Sequence, residues 1–169
     1  IENEDLSEAL KDCEEFKPSN EAQVVEFIEL ALNKVLEKNE SARTNVGVLM
    51  YNAVLKQKKF QITSFTSALK KTLEVAEDMA IDVPKITTYL AQIIAPMFQK
   101  DASVEFLSEA CELVKDSKIC ADFIAETLTH ASKRLGHTTV AEIFKASKLK
   151  IQDFLGGVDS EYLKEKVNS

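Results

Sequence analysis

The chain has 169 residues, with 28 acidic against 21 basic side chains, a formal charge of -7 and an isoelectric point near 5.0. That length suits one domain with a sizeable core, and the acidic balance argues against a nucleic-acid footprint and against attraction to anionic membrane surfaces. The sequence has 4 glycines and 3 prolines, and no apolar run nears the roughly 18 residues of a membrane span; with no leader pattern at its start, it predicts a soluble, intracellular, all-helical protein.

Leu6, Ala9, Leu10 and Cys13 recur at helical spacing and predict a first helix, closed by Pro18. Ser19 or Asn20 caps a second, with Gln23 placed to complete a capping box behind Asn20. Its stripe of Val24, Phe27, Ile28, Ala31, Leu32 and Val35 runs out in the polar turn Glu37 to Ser41, where Ser41 is expected to cap the next helix. A third helix carries Val46, Leu49, Met50, Ala53 and Val54 and ends in Lys56-Gln57-Lys58-Lys59, whose charges suit a helix C-terminus.

Thr63 opens a fourth helix with Phe65, Ala68, Leu69, Leu73 and Ala76 inward. The pattern stops over Glu77 to Pro84 and resumes with Ile86, Leu90, Ile93, Ile94 and Met97. Pro84, lacking an N–H, is expected in the first turn of this fifth helix with Val83 held out of helical geometry before it, and Pro96 is expected to kink or end it near Ala95. Ser103 starts a sixth through Leu107, Ala110 and Val114; Ser117 starts a seventh through Cys120, Phe123, Ile124, Leu128, Ala131 and Leu135 to a Gly136 cap. Val140, Ile143 and Phe144 mark an eighth helix, Leu149 to Leu155 a short ninth, and Gly156-Gly157 a turn before a last helix with Tyr162, Leu163 and Val167. Short loops between amphipathic helices predict antiparallel neighbours stacked in two layers around a continuous core, over residues 1–169 as a single domain.

Catalytic chemistry finds little support. His130 and His137 do not have the four-residue spacing that faces a metal, and no HExxH, GxSxG or phosphate-loop motif occurs. Cys13, Cys111 and Cys120 are an odd number without CxxC spacing and read as buried free thiols, which also discounts Asn39-Glu40-Ser41 as a glycosylation acceptor. The phenylalanines at helical spacing read as core and not as a cofactor box. The expectation is a non-enzymatic, monomeric protein with no cofactor and no metal. Lys56, Lys58 and Lys59 read as a solvated helix end, with direct RNA binding as the rival reading.

The elbow between the fourth and fifth helices is the main candidate site. Glu77, Asp78 and Asp82, with Pro84 and Lys85 beside them, fall at a projecting corner, and turns of stacked-helix scaffolds commonly serve as contact points. On the residues alone two readings stand level: a partner site, or solvated acids of which Asp82 interacts with the dipole of the following helix.

Leu73-Glu74-Val75-Ala76-Glu77-Asp78-Met79-Ala80-Ile81-Asp82-Val83-Pro84, then Tyr89-Leu90-Ala91 and Pro96, resembles the MA-3 domain, a HEAT-type helical domain of translation initiation factor 4 gamma and of programmed cell death protein 4. Glu8-Ala9 through Glu15 resembles a family helix segment, and Leu149 to Leu155 resembles a tail that the initiation-factor branch has and the cell-death branch lacks. The resemblance implies an all-α, HEAT-like stack of antiparallel helical hairpins, a cytoplasmic role in translation initiation, and binding to initiation factor 4A, the DEAD-box RNA helicase, chiefly through its amino-terminal RecA-like domain. It implies that contact for Asp78 and Asp82, with neither nucleic acid nor membrane bound directly. An inhibitory helicase binder of the cell-death type is the alternative. Family domains begin with more helix before the place of Ile1, so a fragment of a longer protein with an incomplete first hairpin is expected.

Overall fold

The computed structural model describes residues 11, 15–156, 158 and 161–162, and no strand occurs among them. The expected first helix around Leu6, Ala9, Leu10 and Cys13 falls outside the described residues, as do Gly157, Leu163 and Val167. The elements are α1 (Glu21–Leu36), α2 (Glu40–Met50) continuing into a π-helical turn (Tyr51–Lys56), α3 (Ile62–Glu74), α4 (Ala76–Met79), α5 (Ile86–Ile94) with a 3-10 turn (Ala95–Met97), α6 (Phe106–Ala110), α7 (Lys118–Leu135), α8 (His137–Ala146) and a 3-10 turn (Ile151–Phe154).

Local chemistry explains most boundaries. Asn20 Oδ1 accepts from the Gln23 amide at 3.0 Å, while Gln23 Oε1 accepts from the Ser19 amide at 2.7 Å, so the reciprocal cap forms one residue wider than a standard box. Asn39, not Ser41, caps α2: its Oδ1 accepts from Ala42 N at 2.9 Å, because a helix beginning at Glu40 puts Ser41 inside the first turn. Ser117 caps α7, and Gly136 ends it at φ 85, a conformation that favours glycine. Pro96 ends the α-helical run at Ile94, and the chain tightens to 3-10 geometry.

Other boundaries depart from the pattern. α3 opens at Ile62, one residue before Thr63, behind an uncapped Gln61, and it stops at Glu74, where Val75 leaves helical geometry before Ala76. α6 begins at Phe106, not Ser103, and turns over Cys111–Asp116 follow it, so the sixth helix is far shorter than its periodicity suggests. The ninth helix is only the 3-10 turn Ile151–Phe154. Beyond Met50 the third helix widens: Gln57 N donates to Asn52 O at 2.8 Å, the i-5 pairing of a π turn.

Packing is strongest between alternate helices. α3 packs on both α1 and α6, while α5 packs on both α2 and α7, and α8 closes the far end on α7. The result is two layers, α1–α3–α6 and α2–α5–α7, whose facing side chains include the buried Ile28, Leu32, Phe65, Leu69, Leu90 and Ile93. Setting aside the short α4, the successive helices from α1 to α7 alternate between the two layers, which is the HEAT-like arrangement.

Two fixtures set the relative position of the layers. Gly47 on α2 lets α5 approach so closely that an added Cβ would lie 2.1 Å from the Ile93 carbonyl oxygen. Arg43, only 5% exposed, donates from Nε to Gln92 Oε1 at 2.6 Å and from Nη1 to the Leu36 carbonyl at 3.5 Å and to the Lys38 carbonyl. Among the described residues its charge has no carboxylate partner; carbonyls, an amide oxygen and the Tyr89 ring face take that place.

Candidate partner-binding site

The elbow is built by one inward stripe. Ala76 is buried and Met79, Ala80 and Val83 are half-buried against the core, so the residues between them must face out. Glu77, Asp78, Asp82, Pro84 and Lys85 are all exposed. The chain holds its shape by local hydrogen bonds: Ile81 N to Asp78 O at 3.2 Å, Asp82 N to Met79 O at 3.2 Å and Val83 N to Met79 O at 2.8 Å. Asp78 and Asp82 therefore stand about one helical turn apart along a continuous local ladder.

Pro84 lies before α5 and not in its first turn. Lys85 is the residue preceding that helix, and Ile86 N and Tyr89 N donate to the Val83 and Lys85 carbonyls at 3.0 Å each. Asp82 makes no side-chain cap on α5, which leaves the dipole of that helix as its structural alternative to partner binding.

Ile81 was not a residue that the acidic pattern singled out. It is 81% exposed, more than any other large hydrophobic among the described residues, and it sits between Asp78 and Asp82. A signal was present in the sequence: Ala76, Ala80 and Val83 fix the inward stripe, and Ile81 is out of step with it. Among the described residues, ion pairs join Lys70 to Glu112 at 2.8 Å and Lys71 to Glu29 at 2.9 Å, and neither involves the elbow. The elbow thus offers an apolar knob ringed by carboxylates that make no ion pair among the described residues.

The other candidates are scattered. Lys56, Lys58 and Lys59 are exposed around the end of the π turn, with Lys58 at φ 53 and Lys59 Nζ 5.9 Å from the Phe60 ring centre. His130 is half-buried on α7, and burial, then Lys133, holds it below the ordinary imidazole range; His137 starts α8. Cys111 and Cys120 are buried free thiols, and the neighbouring Cys120 thiol, then burial, pushes Cys111 well above the ordinary thiol range. Among the described residues, no group of three or more His, Cys, Asp or Glu is placed to hold a metal ion. No helix among them is long and apolar enough to cross a membrane.

A family model described as the MA3 domain matches residues 1–103, a stretch that contains the whole elbow. The chain belongs to the MA3 domain family. Among curated proteins, this chain is 27% identical over 157 residues to eukaryotic translation initiation factor 4 gamma 3 of Homo sapiens, a match that covers 89% of this chain and 10% of that protein. It is 28% identical over 153 residues to the Mus musculus factor of the same name, and 27% identical over 153 residues to eukaryotic translation initiation factor 4 gamma 1 of Mus musculus. The chain therefore spans about a tenth of the length of the curated relatives it matches. Those matches extend over residues beyond 103, where α6 and α7 complete the two layers and α8 packs on α7.

Proposed function

We propose that this MA3 domain is a non-catalytic scaffold module of translation initiation that binds initiation factor 4A, the DEAD-box RNA helicase, mainly through its amino-terminal RecA-like domain, and biases how the helicase closes on RNA and ATP. The observation that carries this reading is the elbow: Asp78 and Asp82 flank an exposed Ile81, with Glu77, Pro84 and Lys85 at its margins. An apolar anchor ringed by charge is what a basic, partly apolar protein face recognises, and exposed carboxylates steer such a face toward docking. The likeness to initiation factors 4 gamma supports the translational setting, and a cytoplasmic location goes with it. The acidic chain and the dispersed lysines weigh against direct RNA binding.

A module that prefers one arrangement of a two-lobed motor must change that motor's nucleotide and RNA affinity, and the coupling is reciprocal. The decisive measurement is a titration of initiation factor 4A with Asp78→Ala and Asp82→Ala variants at several salt concentrations. Loss of a carboxylate desolvated in the complex costs on the order of 2–5 kcal/mol, while loss of one at the rim mainly slows association and flattens the salt dependence. Unchanged affinity and unchanged salt slope in both folded variants remove the elbow from the contact. An unwinding assay with the intact domain separates stimulation from inhibition.

A further inference from the structure

A groove of about 1330 Å³ opens at the far end of α3 from the elbow, between the start of α3, α6 and the 3-10 turn Ile151–Phe154. α3 has 13 residues, which separates the two surfaces by about 20 Å along its axis. Pockets for small molecules run to about 300–1,000 Å³, so this open groove is on the scale of a peptide segment. Phe60, Phe106 and Phe154 underlie its floor at 2%, 7% and 2% exposure, and the half-buried Leu55 and the exposed Ile62 are apolar lining side chains that reach the surface. Phe106 stands edge-on to Phe65 at 5.5 Å and Phe154 lies 6.0 Å from Phe144, which anchors that floor in the core. Ile62 stays partly exposed at one rim.

The rims carry the charge. Glu105, Glu109, Glu112, Asp116 and Asp153 are exposed around the groove, against Lys58 and Lys115. Lys70 binds Glu112 at 2.8 Å, which leaves Glu105, Glu109, Asp116 and Asp153 as the dominant field. Gly156 lets the tail approach α7's lead-in so closely that an added Cβ would stand 2.3 Å from Asp116 Oδ1, and this approach closes one end of the groove. An apolar trough edged with carboxylates complements a helix with one apolar face and lysines or arginines on its flanks, and it repels nucleic acid.

We infer that this groove is a second docking surface, independent of the elbow, that receives a basic amphipathic helix of a partner protein. The probe is a synthetic helical peptide of leucine and lysine with all leucines on one face, and its control carries glutamate for lysine. Both are titrated into the 1–169 chain by fluorescence anisotropy, with amide chemical shifts mapping the contact. The expected result is binding of the lysine peptide, with shifts concentrated at Ile62, Phe106 and Asp153, and affinity lowered about tenfold or more in E105K/E109K and also in D153K, which sits on a different element. D78A/D82A is expected to bind it within roughly twofold of the parent, since distant sites act independently. Shifts centred on the elbow, equal binding of the glutamate peptide, or unaltered affinity in both folded charge-reversal variants would overturn the inference.

Discussion

The Arg43 guanidinium stands 3.8 Å from the centre of the Tyr89 ring, joining the start of α2 to α5. Tyr89 N in turn donates to the carbonyl of Lys85, the last residue of the elbow, so the buried arginine braces the helix from which the candidate site projects. Removing it strands the Leu36 carbonyl and the Gln92 amide oxygen away from water and frees the Lys38 carbonyl at a part-buried edge. Arg43→Ala is expected to lower stability by about 3 kcal/mol in urea unfolding. Arg43→Lys recovers only part of that loss, because an ammonium cannot reproduce the fork or the stacking. Equal stability of both variants with the parent would refute the bracing role.

Gly47 and Gly136 make opposite demands on a substituted alanine. At Gly47 the helix itself would gain about 1 kcal/mol from alanine, yet the Cβ would collide with the Ile93 carbonyl oxygen at 2.1 Å and with Pro96 Cγ at 2.7 Å. Overpacking wins, since backbone cannot yield as a flexible side-chain tip does, and Gly47→Ala is expected to cost about 2 kcal/mol or more. At Gly136 no described residue lies within 4 Å of an added Cβ, and it is the backbone at φ 85 and ψ 153 that opposes it. Gly136→Ala is expected to cost about 1–3 kcal/mol. Thermal melts of the two variants check both magnitudes, and a stabilised Gly47→Ala would contradict the close approach.

His130 sets a pH dependence. Burial first, and then the neighbouring Lys133, depress its folded-state pKa below the ordinary imidazole value, while Glu126 and Glu40 oppose them. Above pH 6.5 the ring is neutral in both folded and unfolded chains and contributes nothing. As pH falls through 6.5 the unfolded chain takes up the proton before the folded one, so stability declines until the folded-state pKa is passed. His130→Gln is expected to flatten the stability profile between about pH 7 and 5, and an identical slope in the variant would exclude the histidine as its source.

Ile81 separates folding from binding. Its side chain is 81% exposed, so Ile81→Ala is expected to leave stability within about 0.5 kcal/mol of the parent. If the elbow docks as proposed, the same change weakens binding to initiation factor 4A by about 1 kcal/mol or more, and Ile81→Asp weakens it further by placing another carboxylate where an apolar anchor stood. Calorimetric titration beside a denaturation curve distinguishes the two, and full affinity in Ile81→Asp would mean that the knob stays in water in the complex.

Periodicity alone located the helices that matter most. The stripe Val24, Ile28, Leu32 and Val35 is buried on α1, and Asn20, Ser117 and Gly136 cap where residue type said they should. Such features depend on hydrogen bonds and side-chain directions within four or five residues, which the local sequence settles. The projecting acids at Asp78 and Asp82 were legible for the same reason, since Ala76 and Val83 on either side fix which way that segment faces.

Tertiary structure decided what no local window contains. Arg43 reads as a surface charge until α5, with Gln92 at a separation of 49 residues, supplies its partners. Val104 N likewise donates to the Ser147 hydroxyl at 2.9 Å, 43 residues away, just before the sixth helix, which begins at Phe106 and not at Ser103. Helical propensity amounts to tenths of a kcal/mol per residue, and satisfying a buried polar group amounts to whole ones, so where the two conflict the distant partner sets the backbone.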